Sequence, residues 1–157
     1  LDAAGLYAEL EAVLPTLTQQ KISHIAIDTE YIQDNQYYAT LTARSFDYDL
    51  IILENVGNLV CPAEFDTGAV KNMTILSVPE GHDKPLKYPL MFQVCDTVLI
   101  NKIDVAPYFD FDFDKCREYI HMRNPKAKIF PISAKTGEGV EAVAAFLKEE
   151  VAKWKGV

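Results

Sequence analysis

The sequence predicts an α/β fold of three layers, a largely parallel sheet with helices on both faces. Short apolar runs rich in β-branched residues recur at 22–27, 50–53, 73–78, 97–100 and 129–132. Continuous apolar runs, rather than strict alternation, mark strands covered on both sides. Amphipathic helical stretches lie between and after these runs, and strand alternating with helix is the pattern of a doubly wound layer structure. No internal repeat, low-complexity tract or flexible linker interrupts the 157 residues, so residues 1–157 read as one domain.

Taken in order, the first helical pattern places Leu6, Leu10, Val13, Leu14 and Leu17 on one stripe. Pro15 removes an amide donor inside it and is expected to kink or end the helix. Strands at 22–27, 50–53, 73–78 and 97–100 follow. A helix is then predicted from Phe113 to Met122, stopping before Asn124-Pro125, with Asp110, Asp112 and Asp114 near its positive end as helix-start and solvent-facing residues. After the last strand, Val140, Val143, Leu147, Val151 and Trp154 recur at three- and four-residue spacing. This is the apolar face of a packed terminal helix.

Composition narrows the function classes. Hydrophobic residues make up 49% of the chain, yet it contains neither a run of eighteen apolar residues nor a basic-then-apolar leader, so neither a membrane span nor a secretory signal is expected. Cys61, Cys95 and Cys116 are an odd set without a C-x-x-C pair, which fits a reducing compartment and a cytoplasmic protein. A formal net charge of −8 repels phosphate backbones over the whole surface, so nucleic acid and anionic membranes are not expected as partners. A mononucleotide held by a local site is unaffected by that field. The chain opens on Leu1 rather than Met, which leaves room for missing upstream residues.

In doubly wound folds ligands sit beyond the carboxyl ends of the strands. After the 97–100 strand stands Asn101-Lys102-Ile103-Asp104. A carboxylate at the last position can accept hydrogen bonds from N1 and the exocyclic amino group of guanine, which adenine cannot supply in that arrangement, and unpaired buried polar groups make the difference selective. The Asn101 amide can bond the base or neighbouring loops, and the Lys102 stem can lie over the ring. After the 129–132 strand come Ser133-Ala134-Lys135 and Thr136-Gly137-Glu138-Gly139. In guanine-nucleotide domains this second element gives a backbone amide to O6 and closes the base pocket. The two elements in order, each at a strand end, point to a guanine site. Upstream, the 50–53 strand runs into Glu54-Asn55-Val56-Gly57-Asn58. Glu54 and Gly57 suit a magnesium-linked switch, with the carboxylate reaching the ion and the glycine amide facing the γ-phosphate, or else form a plain strand-end turn. No G-x-G-x-x-G follows any strand, which counts against a dinucleotide-binding oxidoreductase.

The run from Glu54 through Asn58-Leu59-Val60-Cys61-Pro62-Ala63, the run Ser77-Val78-Pro79-Glu80-Gly81-His82-Asp83-Lys84-Pro85-Leu86-Lys87-Tyr88-Pro89, and the two base-binding elements closely resemble the HypB nickel-incorporation GTPases over residues 48–157. The resemblance implies a P-loop-NTPase-like G domain that binds GTP or GDP with Mg2+. It further implies a metallochaperone for nickel insertion into [NiFe]-hydrogenase, a homodimer working with a small zinc- and nickel-binding partner on a hydrogenase precursor. By the same resemblance Cys61 is a Ni2+ or Zn2+ ligand at the dimer interface, a role a soft thiolate can fill. Cys95 and Cys116, in apolar or helical settings, read as buried small hydrophobes.

Two family features are not found. No G-x-x-x-x-G-K-[ST] string exists in the chain, although such a loop cradles the phosphates with its amides and lysine. Either Gly5-Leu6-Tyr7 occupies the Gly-Lys-Thr place, with Asp28 or Glu30 near the end of the next strand, or Leu1-Asp2-Ala3 matches the Leu-Asp-Ala that follows a Cys-His pair in the family. In both cases the Cys-His pair is absent. His82 is then a substitute metal ligand or a solvated loop histidine, whereas His24 and His121 have no ligand-like neighbours. Two functions compete: a GTPase domain driving metal transfer, or a degenerate, non-hydrolysing scaffold that binds metal or a protein partner.

Overall fold

The computed structural model describes residues 22–27, 50–55 and 69–156. Among the described residues two sheets, parallel throughout, carry the fold. In the first, β1 (Ile22–Ile27) lies beside β2 (Leu50–Asn55), with Ile22 opposite Leu50 and Ala26 opposite Glu54. In the second, β3 (Met73–Ser77), β4 (Thr97–Asn101) and β5 (Lys128–Pro131) are neighbours in that order. The five expected strands are all present: β1 keeps its expected bounds, and the other four shift by one or two residues because the hydrogen-bonded ladder, not the apolar run, sets their limits. Among the described residues β2 pairs only with β1 and β3 only with β4, while Leu50 still packs on the apolar cluster that holds Met73, Ile75 and Phe130.

The two-residue period of the strands sorts the core into two layers. Met73, Ile75, Leu99 and Phe130 turn to one face, where α4 (Val140–Lys155) covers them with Val140, Val143, Ala144, Phe146 and Leu147. Leu76, Val98, Ile100 and Ile129 turn to the other. There Met91 and Phe92 of α2 (Pro89–Val94) and Cys116 and Ile120 of α3 (Phe113–Arg123) pack against them. β4 is buried at all five positions, as the central strand of a three-layer sandwich must be. Pro131 is tolerated in β5 because it stands at the strand's end, and among the described residues β5 pairs only with β4.

The connections follow local chemistry. α3 begins where Asp112 accepts hydrogen bonds from the amides of Asp114 and Lys115, at 3.0 and 2.9 Å, as the aspartate-rich start predicted. It ends at Arg123, before Asn124-Pro125. Between β3 and β4 the chain makes a 3-10 turn at Val78–Glu80, then α1 (Lys84–Lys87) and α2, which the periodicity did not announce. Pro85 and Pro89 start these short helices, where a missing amide proton costs nothing. Trp154 corrects the predicted stripe of α4: it is 73% exposed. A helix of 16 residues runs about 24 Å, whereas a five-residue strand such as β4 covers about 17 Å, so the last turn overhangs the sheet. The predicted helix through Leu6 to Leu17 lies outside the described residues, as do Gly5-Leu6-Tyr7, Asp28 and Glu30.

Candidate functional site

The carboxyl ends of β4 and β5 bring together the two loops expected to bind a base. β4 ends on Asn101, which is 2% exposed, and the chain then turns sharply because Lys102 takes a left-handed conformation, φ 64° and ψ 38°. A 3-10 helix, Ile103–Tyr108, follows. The turn is fixed from the neighbouring strand end: the Ile103 amide donates to the Ile132 carbonyl at 3.2 Å, and the Ile132 amide donates to the Ile100 carbonyl at 2.8 Å.

Asn101 ties the two loops. Its Oδ1 accepts from the Lys102 amide at 2.7 Å and from the Ala134 amide at 3.1 Å, across 33 residues of sequence. Ser133 is the second tie. Its Oγ donates to Asp104 Oδ1 at 2.7 Å and accepts from the Thr136 amide at 3.2 Å. The Asp104 carboxylate is thereby oriented, and among the described residues no donor reaches its Oδ2. The loop after Ser133 closes on itself, the Ser133 amide donating to the Glu138 carbonyl at 2.8 Å and the Gly137 amide to the Ser133 carbonyl at 2.9 Å. Lys135 and Thr136 are exposed, while Ser133 and Ala134 are buried. Since the Ala134 amide is engaged by Asn101, the amides of this loop that meet no acceptor among the described residues are those of Lys135 and Gly139. The arrangement thus offers an oriented carboxylate on one loop and open backbone amides on the loop bonded to it.

Other predicted positions fare differently. Glu54 is the next-to-last residue of β2, its backbone opposite Ala26; Gly57 and Cys61 lie outside the described residues. His82 is neither a solvated loop residue nor, among the described residues, part of any group of three His, Cys, Asp or Glu able to hold a metal. It is half-buried, edge-on to Phe111 at 6.0 Å and stacked on Tyr119 at 6.4 Å, and its Nδ1 accepts from the Asp112 amide at 3.4 Å. An aromatic pocket at the start of α3 therefore accounts for it. The adjoining charged residues pair locally: Lys84 with Glu80, and Lys87 with Asp83 at 2.8 Å. His121 is exposed, with Nε2 3.3 Å from the Ala127 carbonyl. Cys95 and Cys116 are buried, and burial pushes each thiol up to about 12, which keeps both protonated at neutral pH, as expected of buried small hydrophobes.

Within the Thr136–Gly139 string, Gly139 takes no role of its own from the sequence. Gly139 has φ +78°, and a Cβ there would stand 2.3 Å from the Pro131 carbonyl oxygen. The Thr136-Gly137-Glu138-Gly139 string held the signal, but nothing local separates its two glycines.

Residues 11–131 match the CobW/HypB/UreG nucleotide-binding domain. A crystal structure of HypB from Helicobacter pylori in complex with nickel superposes with a TM-score of 0.78 at 30% identity, covering 97% of this chain and 84% of that one. The chain belongs to the CobW/HypB/UreG family and is of the HypB type. HypB from Archaeoglobus fulgidus superposes with a TM-score of 0.79 at 29% identity, over 94% and 84% of the two chains. In sequence, the hydrogenase maturation factor HypB of Azotobacter chroococcum is 48% identical over 104 residues, which are 66% of this chain and 34% of that protein. The Escherichia coli K12 factor is 50% identical over 95 residues, or 60% and 33%. The chain thus spans about a third of the length of these curated relatives. The P-loop-NTPase-like architecture read from the sequence is the architecture these HypB structures share with it.

Proposed function

We propose that residues 1–157 form a single guanine-nucleotide-binding domain of a hydrogenase maturation factor, one that couples GTP to the insertion of nickel into [NiFe]-hydrogenase. The observation that carries the reading is the Asn101 carboxamide bridging the 101–104 and 133–139 loops, with Ser133 aiming the Asp104 carboxylate. In this reading Asp104 accepts from N1 and the 2-amino group, the Lys102 stem covers the ring, and the Lys135 amide takes O6. Ser133 and Ala134 hold the pocket wall. Glu54, near the carboxyl end of β2, serves Mg2+, and Gly57 serves the γ-phosphate. Cys61 serves as the Ni2+ or Zn2+ ligand between two copies of the chain. The small nickel- and zinc-binding partner and the hydrogenase precursor belong to the same proposal, as does a cytoplasmic setting. Among the described residues no helix is long and apolar enough to cross a membrane.

Calorimetric titration tests the base site directly. GDP binds, ADP does not, and Asp104→Ala abolishes GDP binding; equal affinity for the two purines overturns the proposal. A second reading, a non-hydrolysing binding module, is favoured by one observation: the sequence carries no P-loop string. Positioning and charge neutralisation supply most phosphoryl-transfer catalysis, so a chain lacking that lysine binds without turnover. GTP turnover with Mg2+ separates the two readings.

A further inference from the structure

We infer that Gly139 is a positioning residue for purine selectivity, acting through the Ser133–Asp104 hydrogen bond; the selectivity half of this inference rests on the proposed guanine site. Two glycines bracket the end of the loop, Gly137 at φ +79° and Gly139 at φ +78°. They share a left-handed backbone, so alanine brings the same conformational strain to either. Their surroundings differ. A Cβ at Gly137 meets nothing within 4 Å, whereas at Gly139 it meets the Pro131 carbonyl oxygen at 2.3 Å, Ile132 Cγ2 at 3.2 Å and Ile132 Cα at 3.3 Å. Two of these three are backbone atoms that cannot rotate away.

What yields is decided by what is anchored. On one side β5 is pinned by its ladder to β4 and by the Ile132 amide donating to Ile100. On the other, α4 begins at once with Val140, 1% exposed, and Val143, fully buried. Between them the loop carries exposed Lys135, Thr136 and Glu138. A side chain at 139 therefore displaces the loop, and with it the backbone of Ser133, whose amide bonds Glu138 and whose hydroxyl holds Asp104. The bare Cα at 139 lets the loop return close enough to β5 for Ser133 to aim the carboxylate.

Two measurements on Gly139→Ala and Gly137→Ala proteins test this. Amide hydrogen exchange needs no nucleotide: the Ser133, Ala134 and Thr136 amides lose protection in Gly139→Ala and keep it in Gly137→Ala. Equal protection in both variants overturns the inference, whether or not nucleotide binds. Titration with GDP and with inosine diphosphate, which lacks the 2-amino group, follows. Gly139→Ala loses about ten- to a hundredfold of its preference for GDP, the worth of one hydrogen bond to a charged group, and Gly137→Ala retains it. A wild-type protein that binds neither nucleotide overturns the guanine reading, and with it the selectivity role. A Gly139→Ala protein that fails to fold while Gly137→Ala folds overturns the inference as well, since the close approach then serves the fold and not the loop.

Discussion

At the residue scale, the site depends on polar groups that are nearly buried yet satisfied by one another. Asn101 accepts two backbone amides from different loops, and a carboxamide replaced by a methyl leaves both donors without a partner. Asn101→Ala is expected to lower stability by about 1–3 kcal/mol, read as a shifted urea midpoint, and to abolish GDP binding together with it. Ser133→Ala removes only the hydroxyl that holds Asp104, so nucleotide affinity falls while the urea midpoint moves less than in Asn101→Ala. The buried thiols make a separate prediction. With burial pushing Cys95 and Cys116 up to about 12, neither reacts measurably with a thiol reagent near pH 8 in the folded protein, and both react on unfolding. Peptide mapping after labelling checks the two sites individually; rapid native labelling of either contradicts the described core.

At the scale of elements, α3 is a helix defined by its ends more than by its apolar content. Asp112 caps it, and the Lys115 amide, followed by the nearby Lys115 charge, the Asp114 amide and His82, holds the carboxyl below its ordinary 3.8. A depressed folded-state value means that the cap stabilises the protein above the unfolded value and is lost as the pH falls through the folded one. Asp112→Ala is therefore expected to destabilise the protein at neutral pH, and the cost fades as the pH falls below the ordinary 3.8 and through the depressed folded-state value. Denaturant titrations at several pH values report this, and a cost that does not vary with pH rules out the cap. In α4 the contrast lies between positions on one stripe. Val143 is fully buried and Trp154 is 73% exposed. Val143→Ala is expected to destabilise by roughly 1–3 kcal/mol and Trp154→Ala by about 0.5 kcal/mol or less, both read from thermal or urea midpoints.

At the scale of the whole molecule, two apolar layers on opposite faces of the sheet share one central strand. Leu99 turns to the α4 side and Ile100 to the α2 and α3 side, one residue apart on β4. Because the strand is common to both layers, damage to either is felt by the other. Phe92, fully buried on the second face, is replaced by Ala at an expected cost of about 3–5 kcal/mol. The loops at the end of β4 should be lost in the same transition, so exchange protection at Ala134 and far-UV dichroism fall at one denaturant concentration. Separate transitions would show that the layers fold independently.

The strands, the termini of α3 and the position of the 101–104 and 133–139 loops at strand ends were legible in the sequence, because each rests on local order: apolar runs, a capping aspartate before a helical pattern, and short polar strings after the strands. The resemblance over residues 48–157 was legible for the same reason, and the family match agrees with it. Tertiary structure alone decided the rest. Whether Asn101 reaches Ala134, whether the Ala134 or the Lys135 amide is left open, whether His82 meets solvent or Tyr119, and which of two glycines must lack a side chain all depend on residues remote in the chain. The physical reason is that a hydrogen bond or a steric contact across 33 residues leaves no mark on the periodicity of either segment; only the ladder between β4 and β5 brings the two ends within reach.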